Sequence, residues 1–284
     1  MTLSYAQTSN KKVTTAGGIE HAYRETGDGG VPLILLHHFR GNLDYWDPAL
    51  VDALAAGRRV IAFNNTGVGS SSGTTPSTVA QMALDAIAFI DALGLEQVDL
   101  LGYSLGSFVA QEVALIRPAL ARRVILASSA PQGASGMHGW QPWVIDSVGE
   151  REPPPSKVLD VFYLQTPESR SAGERAFGRM FTRSELDTPI TWQTRQAQYD
   201  AICAWGIPNH AQLQRVTAMQ VPVFVAGGDS DPMIPPRYSH LLAGLIPDSE
   251  IKIYPNSAHG FLSEHHARFG DDVTRFLDRP AKSA

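Results

Sequence analysis

Short, mostly apolar runs recur along this chain and restrict the folds it can adopt. Residues 32–36 read Pro-Leu-Ile-Leu-Leu, and comparable runs occupy 59–63, 98–101, 123–130 and 221–226. Such runs are too short for typical helices, and a strand without polar alternation is buried on both faces. Helical patterns lie between them. After a capping Ser77 or Thr78, the residues Val79, Met82, Ala83, Ala86, Ile87, Ile90 and Leu93 recur at a spacing near 3.6, and Gly94 stops the pattern. Asp47-Pro48 opens another helix, to about residue 56, with proline tolerated in the first turn. This alternation predicts a mostly parallel sheet covered by helices on both faces. With 284 residues, 43% hydrophobic and 18% charged, the chain suffices for one large α/β core with an insert.

Residues 13–25 read as a hairpin turning at Gly17-Gly18. Residues 64–76 form a loop rich in Gly, Ser and Thr. From about 131 to 220 the strand–helix rhythm breaks. Four of the five tryptophans fall there, with Phe162, Tyr163, Phe177, Met180, Phe181 and Tyr199. So aromatic a stretch is no disordered linker, and it reads as a helical insert. The rhythm then resumes, with a helix over 236–245, a strand over 250–254 and a last helix over 264–277.

The chemistry gathers where strands end, which is where open α/β sheets place their sites. The run from Val98 stops at Gly102-Tyr103-Ser104-Leu105-Gly106, and a helical pattern follows. A strand-to-helix turn this tight excludes side chains two residues either side of the serine, and it leaves the hydroxyl at its apex. The serine's neighbours then sit at a helix N-terminus, which favours developing negative charge. Three further groups occupy strand ends: the His37-His38-Phe39 loop, the Asp229/Asp231 pair, and His259. A serine hydroxyl needs an adjacent base, histidine serves near neutral pH, and a carboxylate fixes the imidazole tautomer.

These motifs resemble those of the α/β-hydrolase fold superfamily, among its serine-nucleophile esterase, lactonase and haloperoxidase-like members with a helical lid. The resemblance runs from the hairpin to the last helix. Gly102 to Gly106 resembles the nucleophile elbow, and Asp231-Pro232-Met233-Ile234-Pro235 resembles the acid loop. Ser257-Ala258-His259-Gly260-Phe261 resembles the histidine loop, and residues 64–70 the family's Asp-x-x-Gly-x-Gly-x-Ser loop. The resemblance implies Ser104 as nucleophile, Asp231 as acid ahead of Asp229, and His259 as base. It also implies an oxyanion hole made by the backbone N–H groups of Leu105 and Phe39. Two departures stand out. His38 replaces the glycine of the family's His-Gly, and Asn64 and Thr66 stand where relatives often carry Asp and Arg. Losing both members of an ion pair reads as structural rewiring. The implied architecture is an eight-stranded sheet with a lid after the sixth strand. Residues 1–131 and 219–284 form the core and 132–218 the lid. His38, Tyr103, Trp140 and Trp143 are the candidate substrate contacts.

Other classes are disfavoured. Net charge is −5 with no dense basic cluster, which argues against nucleic acid or an anionic membrane as partner. Cys203 is the only cysteine, so no intrachain disulfide or cysteine-based zinc site is expected. His37 and His38, adjacent on an extended segment, point to opposite faces and are not expected to share a metal. Residues 1–12 carry no apolar signal segment, and no run approaches a membrane span, so a cytoplasmic protein is expected, monomer or homodimer. The expected activity is cofactor-free hydrolysis of a small apolar ester or lactone. Carbon–carbon cleavage of diketone-type substrates, haloperoxidase-like (perhydrolase) activity with the same triad, and a non-catalytic ligand-binding protein are the competing readings.

Overall fold

A computed structural model describes residues 3–137 and 139–280. The strands are β1 (Lys11–Thr14), β2 (Glu20–Thr26), β3 (Leu33–Leu36), β4 (Val60–Phe63), β5 (Val98–Tyr103), β6 (Ala121–Ala127), β7 (Val223–Gly228) and β8 (Ser249–Tyr254). They form one eight-stranded sheet in the order β1-β2-β4-β3-β5-β6-β7-β8. The expected hairpin supplies the antiparallel pairing, and every pair from β4 to β8 is parallel.

The apolar runs are unbroken because each strand feeds two cores. Ile34, Leu36, Ile61, Phe63, Leu100, Val124 and Val225 point to one face. There they pack against α2 (Val79–Ala92) and α3 (Leu105–Ile116). Their neighbours Leu33, Leu35, Val60, Ala62, Leu101, Ile125 and Phe224 point to the other. There they meet α1 (Pro48–Leu54) and the last helix. This is strand alternation with both faces buried. Thr78 caps α2 through its hydroxyl, and Asp47 caps α1.

Strand order reverses around β3. The chain leaves β3 for β4 on one side, then crosses back to β5 on the other. Leu36 and Gly102, the last residues before the two loops of interest, are register partners across β3 and β5. The crevice beyond this switch point is where such sheets bind ligands.

Five helices follow between β6 and β7: α4 (Pro142–Val148), α5 (Pro155–Phe162), α6 (Pro167–Met180), α7 (Trp192–Trp205) and α8 (His210–Gln214). Beyond β7 come α9 (Arg237–Leu245), α10 (Phe261–Glu264) and α11 (His266–Leu277). Two boundaries depart from expectation. The strand expected to reach 130 stops at Ala127, because Ser128 turns into left-handed backbone at φ 46°. The helix expected over 264–277 is two helices meeting at His265.

The insert is tied to the core by charged groups. Arg179 of α6 donates to both oxygens of Asp47, at 2.8 and 2.6 Å. In the α6–α7 loop, the Asp187 carboxylate accepts from Asn64 Nδ2 at 2.6 Å and from Ser70 N–H at 3.0 Å. Asp187 N–H donates to Asp44, which is itself ion-paired with the buried Arg24 at 2.6 Å. This gives the Asn64 departure a physical reason. A carboxylate at position 64 would face the Asp187 carboxylate, whereas the amide donates to it.

Candidate active site

The turn after β5 is built as its glycines require. Ser104 sits at φ 55° and ψ −121°, a left-handed region that side chains rarely adopt. A Cβ on Gly102 would lie 2.3 Å from the Gly106 carbonyl oxygen, and one on Gly106 would lie 2.1 Å from that of Leu36. Below the turn is a buried polar cluster that the sequence motifs do not announce. Ser107 Oγ donates to the Ser104 carbonyl at 2.5 Å and lies 2.7 Å from Ser129 Oγ. Gln111 Nε2 reaches Ser129 Oγ at 3.0 Å and the Ala130 carbonyl at 3.2 Å. The Ser104 backbone N–H donates to Ala127, so the turn is anchored to β6.

His259 and Asp231 meet from the two last strand-end loops. His259 Nδ1 lies 2.7 Å from Asp231 Oδ2, with both side chains buried. A carboxylate only accepts, so Nδ1 carries the hydrogen and Nε2 keeps its lone pair. The other Asp231 oxygen accepts from Met233 and Ile234 N–H, both at 2.9 Å. Asp229 does different work. It accepts from the N–H groups of Asn256 and Ser257 and so shapes the loop that delivers His259. Tyr103 OH donates to the His259 carbonyl at 2.9 Å, and burial pushes this phenol's pKa far up, so it stays protonated. Tyr103 therefore supports the histidine from below and does not line the main cavity, as expected of a substrate contact.

Ser104 and His259 open into one cavity of about 830 Å³. The Ser104 hydroxyl has no hydrogen-bond partner among the described residues, so the structure places Ser104 and His259 on one cavity without a hydrogen bond between them. The expected oxyanion donors flank it. Leu105 is the first residue of α3, and Phe39 follows β3 by three residues. Neither backbone N–H is taken by a protein acceptor among the described residues. His38 keeps an ordinary negative φ, so this loop needs no glycine at that position. The left-handed residue is Arg40, at φ 65°, and the tight approach falls at Gly41, where a Cβ would lie 2.0 Å from His37 Nδ1.

The insert grips this loop. The Phe39 ring packs against Trp140 and Tyr199 and lies under the Arg195 guanidinium. Arg40 N–H donates to Gln198 Oε1 of α7 at 2.8 Å. The Arg40 guanidinium donates to the carbonyls of Val148, Glu150 and Arg151. Gln198 and Arg40 carry no motif and were invisible in the sequence.

His38 lines the cavity, as expected, but the two tryptophans do not. Trp140 lies behind the loop after β3, against Phe39. Trp143 is 46% exposed, because α4 turns Val144 and Val148 inward instead. The aromatic part of the insert wall is made by Phe162, Phe177, Phe181 and Trp192, and Arg151 and Glu152 line the same wall.

The fold and this arrangement of strand-end loops define a class, and comparison with known proteins agrees. The chain belongs to the α/β hydrolase fold family, whose model matches residues 31–266. It is similar to a solved α/β hydrolase fold protein from Chitinophaga pinensis, 36% identical, covering 98% of this chain and 100% of that one at a TM-score of 0.92. A non-heme chloroperoxidase from Streptomyces lividans is 28% identical over 93% of this chain and 98% of its own length. A 2-hydroxymuconate semialdehyde hydrolase from Pseudomonas sp. strain CF600 is 27% identical over 92% of each. Relatives with such names support an enzyme. No helix among the described residues is long and apolar enough to cross a membrane.

Proposed function

We propose that this protein is a cofactor-free serine hydrolase that cleaves small carboxylic esters or lactones with apolar acyl groups. The observation that carries the reading is the 2.7 Å Asp231–His259 contact beside a cavity that also holds the Ser104 turn. Ser104 Oγ attacks the carbonyl carbon while its proton passes to His259 Nε2. Asp231 holds the imidazole in the required tautomer and stabilises the imidazolium. The developing oxyanion accepts from the N–H groups of Phe39 and Leu105. Collapse expels the alcohol, which takes the proton from His259 and leaves an acyl group on Ser104. Water then attacks this ester as His259 removes its proton, releasing the acid and free serine. The insert over 132–218 acts as a lid, and its aromatic wall receives the acyl chain. The substrate is a small molecule met in the cytoplasm.

Two readings with the same triad have support from relatives' names: perhydrolase chemistry, as in a haloperoxidase, and carbon–carbon cleavage of a diketone-type product. A panel of aryl esters, lactones and vinylogous diketones, assayed with and without peroxide, separates them. Ester or lactone turnover is expected to dominate, and turnover of the diketones alone would overturn the ester reading. A folded protein inert toward the whole panel and toward a fluorophosphonate would be a binding protein.

A further inference from the structure

Among the polar side chains that line the cavity with Ser104 and His259, His38 is one that the reaction above does not use. His38 Nδ1 lies 2.8 Å from the Phe39 carbonyl oxygen, which only accepts, so the ring hydrogen sits on Nδ1. Nε2 is then a bare acceptor. No protein donor reaches it among the described residues, and the ring lines the main cavity. The ring is otherwise walled by aromatics. Tyr103 and Phe162 lie 5.1 and 5.4 Å from it, centroid to centroid, and the same two rings lie 5.3 and 5.2 Å from His259. The two imidazoles thus share a pair of neighbours at the chemical end of the cavity. His38 also directly precedes Phe39, the oxyanion donor. Burial and the nearby His259 depress its pKa to about 3, so it stays neutral and accepting across the physiological range. A bare hydrogen-bond acceptor in a cavity wall favours a ligand that brings a donor and disfavours one that does not.

We infer that His38 is a specificity-determining residue whose Nε2 accepts a hydrogen bond from a hydroxyl or N–H carried by the acyl group next to the scissile carbonyl. The enzyme would thereby prefer 2-hydroxyacyl esters and lactones, or their N–H counterparts, to alkyl isosteres. This rests on the serine-hydrolase reading, since it assumes where the carbonyl sits.

The test compares aryl esters whose acyl groups differ only at the second carbon: hydroxyl, methoxy or methyl. The expected result for wild type is a kcat/KM for hydroxyl about 10–100-fold above both others, which cannot donate. His38→Leu should bring the ratios to within about threefold, and His38→Gln, which keeps an acceptor, should restore part of the preference. Tyr45 also lines the cavity, and Tyr45→Phe should leave the ratio intact. Equal rates for hydroxyl and methoxy in wild type, or a preference that survives His38→Leu, would overturn the inference while leaving the hydrolase reading standing. If no ester turns over, that reading fails by itself. The dissociation constants of the matching 2-hydroxy, 2-methoxy and 2-methyl ketones then read the same ratio without catalysis, with the same two outcomes.

Discussion

The carboxyl edge of the sheet and the helical insert face each other across one cavity, yet they are assembled by different means. At the sheet edge, each proposed catalytic residue lies within a few positions of a strand end, and two of the three are held chiefly by the geometry of their own turns. Ser104 is fixed by two obligatory glycines, and Asp231 by two N–H groups of its own turn. The insert is held by contacts between residues far apart in sequence. Arg179 reaches Asp47, Asp187 reaches Asn64, and Gln198 reaches the Arg40 backbone. The comparison separates two jobs. In the proposed mechanism the sheet edge supplies chemistry through local motifs, and the insert supplies shape and holds the loop after β3 through long-range pairing.

That separation can be broken by substitution, and the largest effect belongs to the sheet edge. Ser104→Ala is expected to lower kcat/KM by about 10⁶-fold. Its melting temperature should stay close to that of wild type, because the hydroxyl forms no protein hydrogen bond among the described residues. Residual activity within tenfold of wild type would end the assignment.

Next come the two carboxylates. Asp231→Asn should cost about 10⁴-fold in kcat, because the amide stabilises the wrong imidazole tautomer. Asp229→Asn disturbs only the loop that carries His259, and a loss below about tenfold is expected, with a lower melting temperature. Steady-state kinetics on both variants decides, and the opposite order would reassign the acid.

A smaller effect is expected across the boundary between the two regions. Gln198→Leu removes the acceptor of the Arg40 N–H, and Arg40→Ala removes the ties to three carbonyls at the end of α4 and in the loop that follows it. Each should lower kcat by about tenfold with little change in KM, because the loop carries a donor that acts on the transition state. Arg40→Lys should rescue poorly, since an ammonium lacks the planar fork of donors. A change in KM alone would mean that the insert only binds substrate.

A different kind of effect, on stability and not on rate, is read by pH. His38 has its pKa depressed to about 3, and His37 is also pushed well below the usual histidine value, both chiefly by burial. The unfolded chain therefore takes up more protons than the folded one as pH falls below about 6.5. This contribution to stability is fully present above about pH 6.5 and is lost as pH falls below it. His38→Leu should flatten this dependence, as measured by chemical denaturation from pH 7 to 4. A wild-type curve already flat over that range would refute the buried neutral histidine.

What was legible in the sequence follows the same division. The parallel sheet, the strand-end loops and the insert after the sixth strand were readable, because buried strands and amphipathic helices leave local periodicities. Ser104, Asp231 and His259 stood out because their turns demand particular neighbours, and the structure places Asp231, not Asp229, against His259 Nδ1. The insert wall was not. Its aromatics were visible as a group, but Trp140 and Trp143 were singled out where Phe162, Phe177, Phe181 and Trp192 form its aromatic part. Which face a short helix turns inward depends on partners elsewhere in the chain, and α4 buries Val144 and Val148 while leaving Trp143 in solvent. Gln198 and Arg40 leave no local signal at all, since their roles arise only when α7 meets the loop after β3.

The central claim is that Ser104 is a nucleophile activated by His259 and Asp231. Its most direct test is labelling of the folded protein with a fluorophosphonate, followed by peptide mass mapping. The account predicts one adduct, on Ser104, absent in Ser104→Ala and formed far more slowly in Asp231→Asn. No adduct on folded wild type, or equal labelling of Ser104→Ala, would contradict it.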